Sequence, residues 1–146
     1  MEPTYELQLA ALNRLLQTPA LVAMVGAKIY DRVPEKKAGG VLVPDVTSPY
    51  ISFGPVTATP DDADCIDALE ITFQIDVWSW GTLEANGSVQ TRKILGEVRK
   101  ALHRAPLVLT TNALVSITAG LNQILRDSDG VTNHGVIQFT ALVETP

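Results

Sequence analysis

Asp127, Asp129 and Gly130, followed by His134, are the residues of this chain that look most ready to hold a cation or move a proton. A calcium loop of the EF-hand type needs further oxygen ligands after Asp-x-Asp-Gly and a bidentate glutamate at its twelfth position. Counted from Asp127, that place is taken by Gln138, and the flanking residues alternate like strands rather than helices. Asp-Gly between alternating apolar runs is instead a hairpin signal, because the glycine accepts the left-handed conformation a tight turn needs. The stretch is therefore expected to be a turn, with His134 a structural residue at the start of a strand.

The other reactive side chains meet the same test. Asp61, Asp62, Asp64 and Asp67 lie close enough in sequence to offer carboxylate oxygens to a divalent cation, although a solvated loop is the commoner fate of such a cluster. Cys65 is the single cysteine, so an internal disulfide and a CxxC metal site are excluded. His103 falls among basic residues on what reads as an exposed helix face. There is no Gly-rich phosphate loop, no GxSxG elbow and no HExxH. No catalytic residue, metal or cofactor is expected.

Composition narrows the classes further. With 46% apolar and 18% charged residues in 146, the chain is expected to fold as a single domain, residues 1–146. No apolar run approaches the roughly 18 residues of a membrane helix, and the N-terminus is amphipathic and acidic, so the chain reads as a soluble intracellular protein. A net charge of −5 argues against nucleic acid as the main ligand. The distribution of charge is more informative than its sum. Ala38 to Thr91 contains eight acids and no Lys or Arg, after which Arg92, Lys93, Arg99, Lys100 and Arg104 follow with Glu97 as the only acid among them.

The elements that must carry these groups follow from periodicity. Tyr5, Leu9, Leu12 and Leu16 have the spacing of one helix face over 4–17, and Thr18-Pro19 opens a second short helix over 20–25 that Gly26 stops. Residues 33–49 hold three prolines and a Gly-Gly, and read as a long loop. Tyr50 to Thr59 reads as a strand broken at Pro55, an edge or bulge position. Leu69, Ile71, Phe73, Ile75 and Val77 alternate with polar residues and predict the central strand. Trp78 and Trp80 fall on its polar side; Trp78 is expected to pack under the next helix or a turn, while Trp80 is equally a candidate interface anchor. Over 88–104, Ile94, Leu95, Val98, Ala101 and Leu102 share one arc, with the basic residues opposite. Val115, Ile117, Ala119 and Leu121, then Ile137, Phe139, Ala141 and Val143, predict the inward faces of a C-terminal hairpin. The expected fold is α+β in two layers: a mostly antiparallel sheet of about four to five strands, packed by an N-terminal helix and one long helix after the central strand.

In this order, YDRVP (30–34), PYISFG (49–54), QIDVWS (74–79), ALHRAPLVL (101–109) and the segment 126–144 resemble the tail-terminator, or tail-completion, family of long-tailed phages, prophages and phage-derived gene transfer agents. The resemblance implies a virion protein with no catalytic residues. It implies a hexameric ring on the last ring of the tail-tube protein, which stops tube growth and offers the surface that a head-completion or connector protein joins. DNA would pass through the lumen without specific binding. The protein would reside at the tail–head joint, and in the bacterial cytoplasm before assembly.

Three expectations about sites follow. The basic helix face (Arg92, Lys93, Arg99, Lys100, Arg104) meets acidic surface from 61 to 76, including Asp61, Asp62 and Asp64, on an adjacent subunit or ring, because ring contacts join unlike patches. Glu35, Lys36, Lys37, Val41, Leu42 and Val43, in the long loop, contact the tube or the connector. An acidic lumen repels DNA phosphates and lets the genome slide. The rival readings are another head–tail connector or tail-tube ring protein, and a small enzyme built on Asp61, Asp62, Asp64 or His134.

Overall fold

The computed structural model describes residues Met1–Pro146. Helix α1 (Pro3–Leu16) starts at Glu2, whose carboxylate accepts from the Thr4 and Tyr5 N–H groups, and α2 (Pro19–Val25) follows after a short break. Strand β1 (Ile29–Tyr30) leads to β2 (Glu35–Ala38), β3 (Val41–Pro44), β4 (Tyr50–Pro60) and β5 (Asp67–Ser79). A single 3₁₀ turn at Leu83–Ala85 precedes α3 (Val89–Leu102), and β6 (Ala113–Arg126) and β7 (Asn133–Thr145) close the chain. The main sheet has the order β1-β4-β5-β7-β6, antiparallel except for the β1–β4 pair, while β2 and β3 form a separate two-stranded hairpin. The α+β architecture expected from the sequence is the one observed.

The core lies between one face of the sheet and the helices. Ile71, Ile75 and Val77 of β5, and Ile137, Phe139, Ala141 and Val143 of β7, are fully buried, with Phe73 stacked on Phe139 at 5.4 Å between ring centres. All five apolar residues predicted for α3 are buried against them. The helix sits so close that a Cβ on Gly135 of β7 would lie 2.7 Å from the Thr91 methyl and 2.8 Å from Leu95 Cδ1. The other sheet face, with Thr72, Gln74, Gln138 and Thr140, is polar and carries no helix.

Four expectations change. In α1 the buried face is Leu7, Ala11 and Leu15, whereas Tyr5 and Leu16 are exposed. Both sets have helical spacing; Leu7, Ala11 and Leu15 join the core, and Glu6 beside them is buried and hydrogen-bonded. Thr18 does not cap α2; its hydroxyl donates back to the Arg14 carbonyl. Residues 33–49 are not one long loop, because Gly39 and Gly40, at φ +60° and +81°, turn the chain tightly enough for β2 and β3 to pair. In β6, register shifts between Leu114 and Ser116 and between Ala119 and Asn122 break the alternation. Ile117 stays buried, but Val115 and Leu121, expected inside, are 58% and 52% exposed.

Candidate functional site

At the β6–β7 end, the Asp127 N–H donates to the Thr132 carbonyl, and Gly130 takes φ +77°. Asp129 accepts from the Val131 and Thr132 N–H groups and from the Thr132 hydroxyl. Those bonds, the Thr132 hydroxyl first among them, hold its carboxyl below the usual carboxylate range. Its oxygens are spent on the turn itself. The expected hairpin turn is observed, as a wider loop than a two-residue connection.

His134 is structural in a specific way. Its Nε2 lies 2.7 Å from Oδ1 of the nearly buried Asp76, and its ring stacks on Trp78 at 3.9 Å. Gln74 also donates to Asp76, and the Trp78 indole donates to Ser52. All of these lie on the helix-free sheet face, so Trp78 packs within the chain but not under α3. Gly54 completes the fit: a Cβ there would come within 2.5 Å of Asp76 Oδ2. Tyr50 stacks on Trp78 at 6.3 Å and meets the Trp80 ring edge-on at 6.0 Å. Burial, with Asp127 nearby, raises the Tyr50 hydroxyl above its ordinary pKa. Trp80 is half-buried, and its N–H donates to Ser48. Tyr50, Trp78 and Trp80, together with Leu42 and Val43 of the hairpin and Val131, line an open groove of about 580 Å³. Trp80 therefore joins the hairpin surface rather than the charged ones.

The hairpin carries Glu35, Lys36, Lys37, Val41 and Leu42 out into solvent, while Val43 is half-buried against the groove. Val41 and Leu42 are 63% and 59% exposed. Lys36 pairs with Asp45 at 3.4 Å and Glu35 with Arg32 at 3.8 Å, both on the surface.

Asp61, Asp62 and Asp64 occupy the exposed tip of the β4–β5 hairpin. Asp62 accepts from the Ala68 N–H and so shapes the turn. No three of the chain's acidic, histidine or cysteine side chains converge as a metal site requires. Arg92, Lys93, Arg99 and Lys100 are exposed on α3, as the helical arc predicts, whereas Arg104, also exposed, lies beyond the end of the helix at φ +55°. Lys93 is already paired with Glu84 at 2.8 Å, and Arg92 donates to Ser88. Arg99, Lys100 and Arg104 pair with no acid of their own chain. His103 departs from expectation. Instead of facing solvent on the helix, it follows the last turn of α3, and its Nδ1 accepts from the Ala119 N–H of β6 at 2.9 Å. Burial, then Arg99 and Arg104, lower its pKa and favour the neutral ring that can accept.

Sequence reasoning missed one polar network. Buried Glu6 of α1 accepts from the N–H groups of Thr110, Thr111 and Asn112 at 2.6, 2.8 and 3.0 Å, and from the Asn112 side chain at 2.7 Å. These bonds, led by that of Thr111, lower its pKa from 4.5 to about 2. The partners are more than a hundred positions away, and no local pattern marks the contact.

Comparison with known proteins agrees with this architecture. Residues 10–144 match the family described as tail completion protein gp17. The tail completion protein gp17 of Bacillus phage SPP1 is 32% identical over 90 residues, covering 62% of this chain and 63% of that protein. The match thus spans a little under two thirds of that relative's length. Among solved structures, a chain in the virion of a native gene transfer agent (GTA) particle superposes with a TM-score of 0.78 at 26% identity, over 94% of both chains. With 10–144 accounted for by one family, this chain belongs to the tail completion protein gp17 family.

Proposed function

We propose that the chain is a structural protein of a phage-type tail. In this reading it assembles as a ring, of six copies by family resemblance, on the last ring of the tail-tube protein. There it ends polymerisation and offers the surface to which a head-completion or connector protein joins. It works at the tail–head joint, after synthesis in the cytoplasm of the producing bacterium. Its task is assembly, not catalysis.

The observation that carries this reading is the family match over 10–144, supported by the likeness to a chain of a GTA virion along nearly its whole length. The surface chemistry is compatible with it. A ring joins unlike patches head to tail, and here Arg99 and Lys100 on α3 and Arg104 just beyond it pair with no acid of their own chain. The β2–β3 hairpin, with apolar Val41 and Leu42 at its turn, supplies a projecting contact for the tube or the connector. A net charge of −5 keeps DNA phosphates from adhering as the genome passes.

Removal of the gene from the producing cell tests the reading. Tubes that overrun their normal length and carry no heads are the expected result. Tails of normal length joined to heads would exclude it.

A further inference from the structure

The main sheet has two unlike free edges, and each has exposed apolar residues towards the end where the β4–β5 hairpin turns. On one side, β1 covers only Ile51 and Ser52 of β4, so the outer edge of that strand is unpaired from Phe53 to Pro60. On the other, β6 has no strand on its outer side: only the Ile117 carbonyl, which accepts from the Arg104 N–H, and the Ala119 N–H, which donates to His103, are met there by the segment after α3. Edge strands are commonly guarded by charges or prolines. From Ala113 to Leu125, β6 contains neither. Its two bulges do not shield it either, because they turn Val115 and Leu121 outward.

Register fixes the relative height of the two edges. Ala113 of β6 is opposite Glu144 of β7, which is opposite Ala68 of β5, next to the Pro60–Leu69 pair that closes the β4–β5 hairpin. The first half of β6 and the hairpin tip are therefore level, across the width of the sheet. Beside β6 at this height lies an open groove of about 390 Å³, lined by Leu107, Leu114 and Val115 and bordered by Arg104. Val108, in the adjoining loop, is 83% exposed. The hairpin opposite has Ile66 at its tip, 43% exposed and flanked by Asp62, Asp64 and Asp67, and Val56, 48% exposed, lower on β4 at the level of Ala119.

We infer that the occupant of the β6 edge and its groove is the β4–β5 hairpin tip of a second copy of this chain. Copies related by rotation about an axis along the strands bring these level patches together. Ile66 and Val56 then cover the apolar groove, while the tip aspartates meet Arg104 and the neighbouring Arg99 and Lys100. The contact is heterologous, so it propagates from copy to copy rather than stopping at a dimer, and a pure rotation about that axis closes it as a ring. This inference rests on the ring reading and specifies which surfaces make the ring.

The native Cys65, exposed at the tip and the only cysteine, supplies the test. Cysteine is introduced by Ser116→Cys, and separately by Val108→Cys, and rings isolated alone or on tube ends are mildly oxidised. The expected result, on a non-reducing gel, is a ladder of covalent multimers up to the full ring in at least one variant, abolished by adding Cys65→Ser. A second variant, Val115→Asp, is expected to weaken assembly by roughly tenfold or more while its thermal melt as a monomer stays that of the parent. Rings of normal mass that give no ladder from either variant would overturn the inference and leave the ring reading standing. Cross-links that persist in the Cys65→Ser background would overturn it in favour of β6 pairing with β6. Absence of any ring, free or on tubes, would overturn the ring reading and this inference with it.

Discussion

Glu6 is a buried carboxylate without a cation beside it, held in its charged form by backbone N–H groups of the 110–112 turn. Because its folded pKa is depressed from 4.5 to about 2, its stabilising effect is complete above pH 4.5 and is lost as pH falls towards 2. Glu6→Gln is therefore expected to lower stability at pH 7 and to flatten the acid limb of the stability curve in that window. Chemical denaturation repeated between pH 7 and pH 2 measures this, and an unchanged acid limb would contradict it. Gly135 makes a prediction of a different kind. Thr91 and Leu95 are fully buried where its Cβ would sit, so neither can move aside freely. Gly135→Ala is expected to cost about 1–3 kcal/mol through overpacking, read as a lower denaturant midpoint at unchanged slope.

At the scale of elements, the central strand and α3 were legible in the sequence because each buries one face against a single layer. Alternation alone therefore identified Ile71, Phe73, Ile75 and Val77, and a helical arc identified Ile94 through Leu102. Phe139→Ala should accordingly be among the most damaging core changes, by about 3–5 kcal/mol, measured by urea denaturation. Legibility failed where tertiary context sets the geometry. The two bulges of β6 turned Val115 and Leu121 outward against a pattern that read as inward. Two helical stripes in α1 share the same spacing, and the one that is buried faces the core through Leu7, Ala11 and Leu15, a tertiary choice that local spacing does not mark. The candidate sites divide in the same way. The exposure of the basic helix face and of the acidic tip followed from local spacing, but the pairing of Lys93 with Glu84 and the groove under the β2–β3 hairpin did not. That hairpin adds strands to the stretch 33–49 without contributing to the main core. Deletion of Lys36 to Val43 should thus leave a cooperatively folded protein by thermal melt while disrupting tail length or head joining in assembled particles. Normal tails from that variant would remove the hairpin from the proposed contact surface.

For the whole molecule, the unpaired charges become the proposed glue. Screening reduces such attraction beyond a Debye length of roughly 8 Å at physiological salt, so ring formation should weaken as salt rises. Arg99→Glu combined with Lys100→Glu should abolish it at physiological salt without unfolding the subunit, since both side chains are exposed. Assembly untouched by that reversal would leave the basic face as solvated surface. The central claim, that the chain closes the end of a tail tube as a ring, is tested most directly by measuring the mass of the purified protein free and mixed with tail tubes, with negative-stain images of the mixture. The account predicts a ring-sized species, or a monomer that becomes a ring on tube ends and halts their growth. A monomer that ignores the tubes, or a protein that polymerises into long tubes by itself, would contradict it.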